Sequence, residues 1–341
     1  MTTIHRSAYE QELDQQVSAL GDQLDSTLPK MLNGLALDQY DRIVLAGMGS
    51  SDYALIPIER ELIERGFPVW RLDAGRLLDM PQLITNRTLL WMTSQSGMSG
   101  EIVAVLESVP MPQTLIGVTN DVDSLLAKKA DIVVELKSGE ESTVSAKSYL
   151  NTLVASYRTL YALSGRDEAP LIAEVRALLP QVAHIITQRE PVQAVTERLF
   201  KYARPRVAMI GTGADAATAL TGALITKEAS KVFAEGFIGG EFRHGPMETS
   251  GEGMLALLFG EENDITLQTL AADLAANGSE VVAVGPQAWA GCQQWPTPAG
   301  QPLARLLCAM LWVQHLTVTL ARANGMVPGQ FLYGNKITVK I

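Results

Sequence analysis

The sequence predicts an α/β protein built of two similar doubly wound parallel sheets in tandem, and three observations carry that prediction. Short apolar runs of strand length alternate with segments of helix length, the rhythm of a parallel sheet covered on both faces. The run Arg42-Ile-Val-Leu-Ala-Gly-Met-Gly-Ser-Ser51 also lines up without a gap with Arg206-Val-Ala-Met-Ile-Gly-Thr-Gly-Ala-Asp215. Gly47 matches Gly211 and Gly49 matches Gly213, so the second copy begins more than halfway along the 341-residue chain, and one repeat of that length means two domains, not a solenoid. Finally, apolar runs pass directly into glycine- and hydroxyl-rich turns that open helices, Gly47-Met48-Gly49-Ser50-Ser51 and Ser94-Gln95-Ser96-Gly97-Met98-Ser99. In doubly wound sheets such turns lie at the ligand-binding ends of the strands.

Taken in order, residues 7–33 repeat Leu13, Val17, Leu20, Leu24, Leu28 and Leu32 at three- and four-residue steps, which predicts one amphipathic helix packed on the body or on a partner copy. Residues 42–46 read as a buried strand, followed by the glycine turn and a helical run through Arg65. Further strands are expected at 67–72, Thr88–Thr93, Thr114–Thr119 and 131–135, with helices over 101–108 and from Ser145-Ala146-Lys147 past Leu163. The domain boundary falls between Gly165 and Arg204, in a helical connector broken by Pro180 and Pro191. In the second half a helix runs through Glu228 to a stop at Gly236. The stretch 236–245 then holds too many glycines for a regular element, and strands follow at Met254–Phe259 and Glu280–Gly285. The resulting division is a helical segment 1–34, a first domain 35–165, a connector 166–204, a second domain 205–325 and a tail 326–341.

A hydrophobic fraction of 47% with 19% charged residues describes a well-buried globular chain. A net charge of −10 without a basic stripe argues against nucleic acid. The N-terminus carries charges where a signal peptide needs an apolar run, and no stretch approaches the roughly 20 apolar residues of a membrane span. With 2 cysteines in no framework spacing, a reducing, cytoplasmic setting is expected. The 4 histidines, His5, His184, His244 and His315, lack ligand spacing, so neither a metal nor another cofactor is expected.

The chemistry concentrates in residues 221–250. Glu228 sits within a helix and His244 in a glycine-rich loop beside Glu241 and Arg243, closed by Gly245-Pro246. A carboxylate and an imidazole together can run base and acid steps near neutral pH. A lone helical glutamate is ordinarily a solvated surface group, but the crowded polar loop is more than a structural turn requires. The first half supplies hydroxyls instead, at Ser50, Ser51, Ser94, Ser96, Ser99, Ser142, Thr143 and Ser145, where the second half has Ala214-Asp215, which would repel an anion. Helix capping explains any one of these hydroxyls, yet three clusters fit a phosphate ester held by neutral donors at helix N-termini better.

Gly49-Ser50-Ser51, Ser94-Gln95-Ser96-Gly97-Met98-Ser99, Ser145-Ala146-Lys147, Lys227-Glu228 and Glu241-Phe242-Arg243-His244-Gly245-Pro246 together resemble the sugar isomerase (SIS) proteins, in order and spacing, over nearly the whole chain. The likeness is to the isomerase half of glucosamine-6-phosphate synthase and to deglycases that split 6-phosphorylated fructosamines. It implies two flavodoxin-like domains and a sugar 6-phosphate held by Gly49, Ser50, Ser51, Ser94, Gln95, Ser96 and Ser99, with Ser145 and Lys147 beside it. It further implies Glu228 as the base moving a proton between C1 and C2, His244 as the ring-opening residue and Lys336 as an imine-forming lysine. The implied assembly is at least a homodimer, with the active site near the subunit contact.

Met48 and Ile225 depart from the synthase, which has cysteine and lysine there, and the step from Pro328 to Lys336 is longer. The start Met1-Thr2-Thr3 shows no N-terminal cysteine and no glutaminase domain, so the expectation is a stand-alone deglycase or aldose–ketose isomerase working through an enediol or enaminol. Two alternatives stand beside it. A non-catalytic sugar-phosphate-binding regulator would keep the serines without needing Glu228, His244 and Lys336. A dinucleotide enzyme would use Gly47, Gly49 and Asp73, although Asp52 replaces the third glycine of that fingerprint. Trp91, Trp312 and His315 read as core or dimer packing and residues 261–264 as a solvated acidic loop. Glu140 and Glu141 flank the third hydroxyl cluster as candidate pocket wall.

Overall fold

Runs such as Thr88–Thr93 and Met254–Phe259 are apolar at nearly every position because both faces of the strands they form are buried. The structure, a computed structural model, describes residues 5–339. The described residues contain two five-stranded sheets, each parallel throughout.

Helices α1 (Ala8–Asp14) and α2 (Gln16–Asp25) open the chain. A capping box starts α1, with the Ser7 hydroxyl accepting from Glu10 N–H and the Glu10 carboxylate from Ser7 N–H. The single helix expected over 7–33 is thus two helices and a 3-10 turn at Lys30–Gly34. The Gln15 N–H turns back to the Glu12 and Leu13 carbonyls, and Pro29 precedes the last turn.

The first sheet is assembled from β1 (Arg42–Gly47), α3 (Ser50–Tyr53), α4 (Ile56–Glu64), β2 (Val69–Asp73), α5 (Ala74–Asp79), β3 (Thr88–Thr93), α6 (Gly100–Ser108), β4 (Thr114–Thr119), α7 (Leu125–Lys129), β5 (Ile132–Glu135) and α8 (Lys147–Leu163). The strand order is β2-β1-β3-β4-β5, with Arg42 opposite Thr88 and Ile43 opposite Val69. Order reverses between β1 and β3, so the carboxyl ends of those strands open a crevice, and both serine turns leave from there. Val44, Ala46, Leu90, Met92, Ile102 and Val105 form the core beneath them.

The second sheet follows α9 (Ala169–Thr187) and α10 (Glu190–Leu199). It comprises β6 (Arg206–Gly211), α11 (Ala216–Ser230), β7 (Ala234–Ile238), β8 (Met254–Phe259), α12 (Ile265–Ala276), β9 (Glu280–Gly285), β10 (Gln293–Pro296) and α13 (Pro302–Ala323). Its order, β10-β9-β8-β6-β7, is the same winding as the first read from the other edge, so the tandem repeat is structural. Two compact units result. One comprises the described part of Met1–Val17 with Ser142–Ala146 and Leu178–Leu332; the other comprises Ser18–Glu141, Lys147–Ala177 and the described part of Tyr333–Ile341.

Several expectations are corrected. The helix through Glu228 stops at Ser230, where Lys231 takes a left-handed conformation (φ 59°), and the end of the expected helix together with the first residues read as irregular forms β7. Gly236 is compatible with that strand because a Cβ there would lie 2.9 Å from Leu220 Cα and 3.0 Å from the Ala219 carbonyl, so the glycine lets β7 pack directly on α11. Pro180 lies inside α9 instead of ending it, and Pro191 stands in the first turn of α10, where its missing N–H costs nothing. The reading that no stretch approaches membrane-spanning length also fails, since α9 and α13 are long and apolar enough by length and composition. For α13 the reason is its place in the core, 94% of its most apolar window being buried. There Trp312 stacks on Trp295 at 5.8 Å and donates to the Pro296 carbonyl, as core packing requires.

On α13, His315 is held neutral, its pKa pushed down to about 4 by burial and by the Arg189 charge, against the opposing pull of the Ile185 carbonyl and Asp14. Between about 4 and the ordinary value of 6.5 the unfolded chain therefore binds more protons than the folded one at this residue. Stability from His315 is complete above pH 6.5 and falls as pH drops toward 4, by about 3 kcal/mol in all. Urea titrations across this window should show His315→Leu losing less stability on acidification than the parent chain, and parallel pH profiles would contradict the assignment.

Candidate active site

Backbone geometry dictates glycine in both turns of the first sheet. A Cβ on Gly47 would lie 2.8 Å from Asp52 N, and one on Gly97, at φ +61°, would lie 2.2 Å from Ser124 Oγ. Gly49 has φ 52° at the entrance to α3. Within the second turn, Ser94 Oγ accepts from Gly97 N–H at 3.1 Å and Ser96 Oγ accepts from Met98 N–H at 3.2 Å, so both hydroxyls are fixed in place. Ser94 and Ser99 hydroxyls stand 3.5 Å apart. Ser99 is the N-cap of α6 but its side chain makes no capping bond, and the Ser50 hydroxyl is buried without a hydrogen-bond partner among the described residues. A capping role accounts for neither, and both hydroxyls have the chemistry to donate to an anion.

Lys336 reaches the same unit from the tail. The Thr338 carbonyl accepts from Gly100 N–H, the first of α6, at 2.9 Å, which brings the tail against the end of the serine turn. Two residues earlier, Lys336 Nζ meets Glu141 Oε1 at 2.6 Å. The Glu141 side chain is fully buried, and it also accepts from Ser148 Oγ at 2.6 Å and Ser148 N–H at 3.0 Å, at the N-terminus of α8 where the helix dipole favours an anion. Lys147 is buried as well and its ammonium donates to the Glu140 carbonyl at 2.6 Å, bracing the loop that carries Glu141. Sequence spacing left Glu141 undecided; the fold buries it against Lys336.

The third hydroxyl cluster divides differently from the expectation. Ser142 N–H and Oγ bond Glu12 Oε1 at 2.6 and 2.9 Å, and the Thr143 hydroxyl bonds Glu12 Oε2. These donors answer a buried carboxylate. Ser142–Ala146, and with it Ser145, belongs to the unit built on the second sheet.

Glu228 and His244 share that unit. Glu228 is half-buried near the end of α11, where the Lys231 ammonium bonds both the Glu228 and the Gln330 carbonyls and burial draws the Lys231 pKa down. His244 is exposed at the end of a 3-10 turn, Gly239–Arg243. Fully buried Phe242 anchors that turn edge-on against Phe237 at 5.1 Å, and Glu241 caps it by accepting Ile238 N–H at 3.0 Å. Arg243 pairs with Asp273 at 2.6 Å. The polar neighbours of His244 thus hold the arm while the imidazole faces out.

The second-half counterpart of the serine turn is filled from within. Asp215 is bonded by Arg305 Nε at 2.9 Å to each carboxylate oxygen, and both side chains are 1% exposed. Asp73, the acidic residue of the dinucleotide alternative, caps α5 by accepting Arg76 N–H at 3.0 Å. Asp52, in the place of the third glycine, pairs with Arg71 at 2.6 Å, and burial raises its pKa.

Comparison with known proteins matches residues 200–287 to the SIS domain family. The chain is 25% identical over 305 residues to glutamine–fructose-6-phosphate aminotransferase (isomerizing) of Clostridium acetobutylicum, covering 83% of this chain and 50% of the relative. It is 31% identical over 228 residues to the Pyrococcus horikoshii protein of that name, covering 64% and 37%. The chain therefore spans half or less of the length of these relatives. Among solved structures, the C-terminal domain of glucosamine-fructose-6-phosphate aminotransferase from Francisella tularensis superposes with a TM-score of 0.81 at 19% identity, covering 97% of this chain and 100% of that one. Tagatose-6-phosphate ketose/aldose isomerase from Escherichia coli gives 0.78 at 19%, covering 95% of each.

The contacts around Gly97 make it the most sensitive backbone position of the serine turn. Gly97→Ala should lower stability by about 1–3 kcal/mol and weaken inorganic phosphate binding. Gly21→Ala, within α2 and with nothing within 4 Å of the new Cβ, should raise stability by about 0.5–1 kcal/mol. Urea denaturation and calorimetric phosphate titration check the pair, and equal tolerance at both positions would contradict the geometry.

Proposed function

We propose, on the premise that the chain belongs to the SIS superfamily, that it is a phosphosugar-processing enzyme. Its substrate is a 6-phosphorylated amino-sugar or Amadori adduct, handled by deglycation or aldose–ketose isomerisation through an enediol or enaminol. The observation that carries this reading is Lys336, paired with buried Glu141 and held two residues from the carbonyl that caps the helix following the serine turn.

In this reading Ser50, Ser94, Gln95, Ser96 and Ser99 hold the phosphate, with Gly49 and Ser51 shaping the first turn and Ser145 and Lys147 completing the surroundings. Neutral hydroxyl donors and a helix N-terminus suit a dianion without a metal or other cofactor. In the same reading Glu141, 2.6 Å from the Lys336 ammonium, takes its proton. The freed amine adds to the ketose carbonyl, and loss of water leaves an imine. Glu228 then shuttles the proton between C1 and C2, and His244 donates to the ring oxygen as the sugar opens. The exposed His244 arm fits a homodimer or larger homo-oligomer in which a neighbouring copy supplies it, and the enzyme works in the cytoplasm.

The test is turnover of fructose 6-phosphate and a panel of 6-phosphorylated Amadori compounds, following released amine and hexose phosphate. Glu228→Gln should lower kcat by roughly 10²–10⁴-fold while phosphate-dependent binding stays close to the parent value. Borohydride added with substrate should trap a sugar adduct on Lys336. Normal rates in Glu228→Gln would remove Glu228 as the shuttle, and saturable binding with no turnover in the parent chain would select the non-catalytic regulator.

A further inference from the structure

Asn120 stands just beyond β4 and does something a turn asparagine does not ordinarily do. Such residues bond their own backbone two positions on. Here Asn120 Oδ1 accepts from both Ser138 N–H, at 2.9 Å, and Ser138 Oγ, at 2.8 Å, while Nδ2 donates to the Gly139 carbonyl at 2.9 Å. Its backbone N–H donates to the Gln95 carbonyl at 3.0 Å, within the serine turn, and Thr119 Oγ1 donates to the same oxygen at 3.3 Å. One residue therefore ties the serine turn to the loop 136–141.

That loop needs tying. Lys137 and Gly139 both adopt left-handed backbone conformations, φ 53° and 67°, and Lys137 has a Cβ that disfavours it. Ser138 is buried between them, and both of its donors end on Asn120. The next residues are Glu140, whose carbonyl holds Lys147, and Glu141, whose carboxylate holds Lys336.

We infer that Asn120 is a positioning residue for Lys336: by locking the loop 136–141 to the Gln95 turn, it sets through Glu141 where the lysine amine stands relative to the Ser94–Ser99 hydroxyls. The inference rests on reading the serine turn and Lys336 as parts of one active site. A residue that merely stiffened a surface loop would change overall stability and leave the lysine indifferent.

The experiment compares the full-length parent chain with Asn120→Ala and Asn120→Asp, the latter keeping the acceptor for Ser138 and losing the donor to Gly139. Lysine acetylation by acetic anhydride is quantified by peptide mass spectrometry. In Asn120→Ala the Lys336 rate should rise severalfold while Lys128 and Lys129 stay at parent values, with Asn120→Asp in between. With fructose 6-phosphate as substrate, kcat should fall roughly tenfold or more with KM close to unchanged. Unchanged Lys336 labelling, or equal acceleration at every lysine, overturns the inference; should Asn120→Ala fail to fold, Asn120→Asp makes the same comparison. A parent chain that neither turns over nor traps the sugar defeats the enzymatic reading alone, because the labelling still reports whether Asn120 places Lys336.

Discussion

A fully buried carboxylate, Glu141, is the constraint on which the docking of the C-terminal tail depends. An ionised carboxylate out of water is tolerated only when charge and hydrogen bonds answer it, and Glu141 gathers the Lys336 ammonium with the hydroxyl and N–H of Ser148. Meeting that requirement fixes a tail that has little secondary structure of its own, and it brings a lysine from the end of the chain to the loop that leads into α8. Replacing Lys336 takes a cation away from a buried carboxylate, so the geometry is held by the penalty for breaking it as much as by the attraction.

The two sheets show one strand–turn–helix design put to two uses. Gly47 and Gly211 are both required by close backbone approach, a Cβ on Gly211 meeting the Asp215 carbonyl at 2.5 Å. After that shared step the chemistry separates. In the first half, hydroxyls surround the helix start and one of them, on Ser50, is buried with its hydrogen-bonding capacity unmet. In the second, Asp215 occupies the corresponding place and Arg305 neutralises it, with Glu261 also on the guanidinium at 3.2 Å. A carboxylate with its own counter-ion leaves no reason for an outside anion to bind in the second turn.

Much of this was legible from residue patterns, for identifiable reasons. Thr88–Thr93, Thr114–Thr119, Met254–Phe259 and Glu280–Gly285 are strands over the ranges expected, because central strands of a parallel sheet are continuous apolar runs. The edge strands were harder. β7 contains Gly236 and is mostly part-exposed or exposed, and β10 is four residues of Gln-Gln-Trp-Pro, so neither carries an apolar run. The serine turns could be read because glycines and hydroxyls crowded at the end of a buried strand mark a turn shaped to approach a ligand. Glu141 could not, since a carboxylate next to Glu140 and before Ser142 looks like any solvated loop, and only the fold brings Lys336 to it. For the same reason Ser142 and Thr143 resembled phosphate ligands until Glu12, far away in sequence, proved to be their acceptor.

The central claim, that Glu141 and Lys336 hold each other and thereby the tail, is tested most directly by a double-mutant cycle. Glu141→Gln, Lys336→Met and the double variant would be unfolded in urea at neutral pH and their free energies compared with the parent chain. The account predicts a favourable coupling of about 1–3 kcal/mol between the two positions. A coupling indistinguishable from zero, with the single losses simply adding, would contradict it.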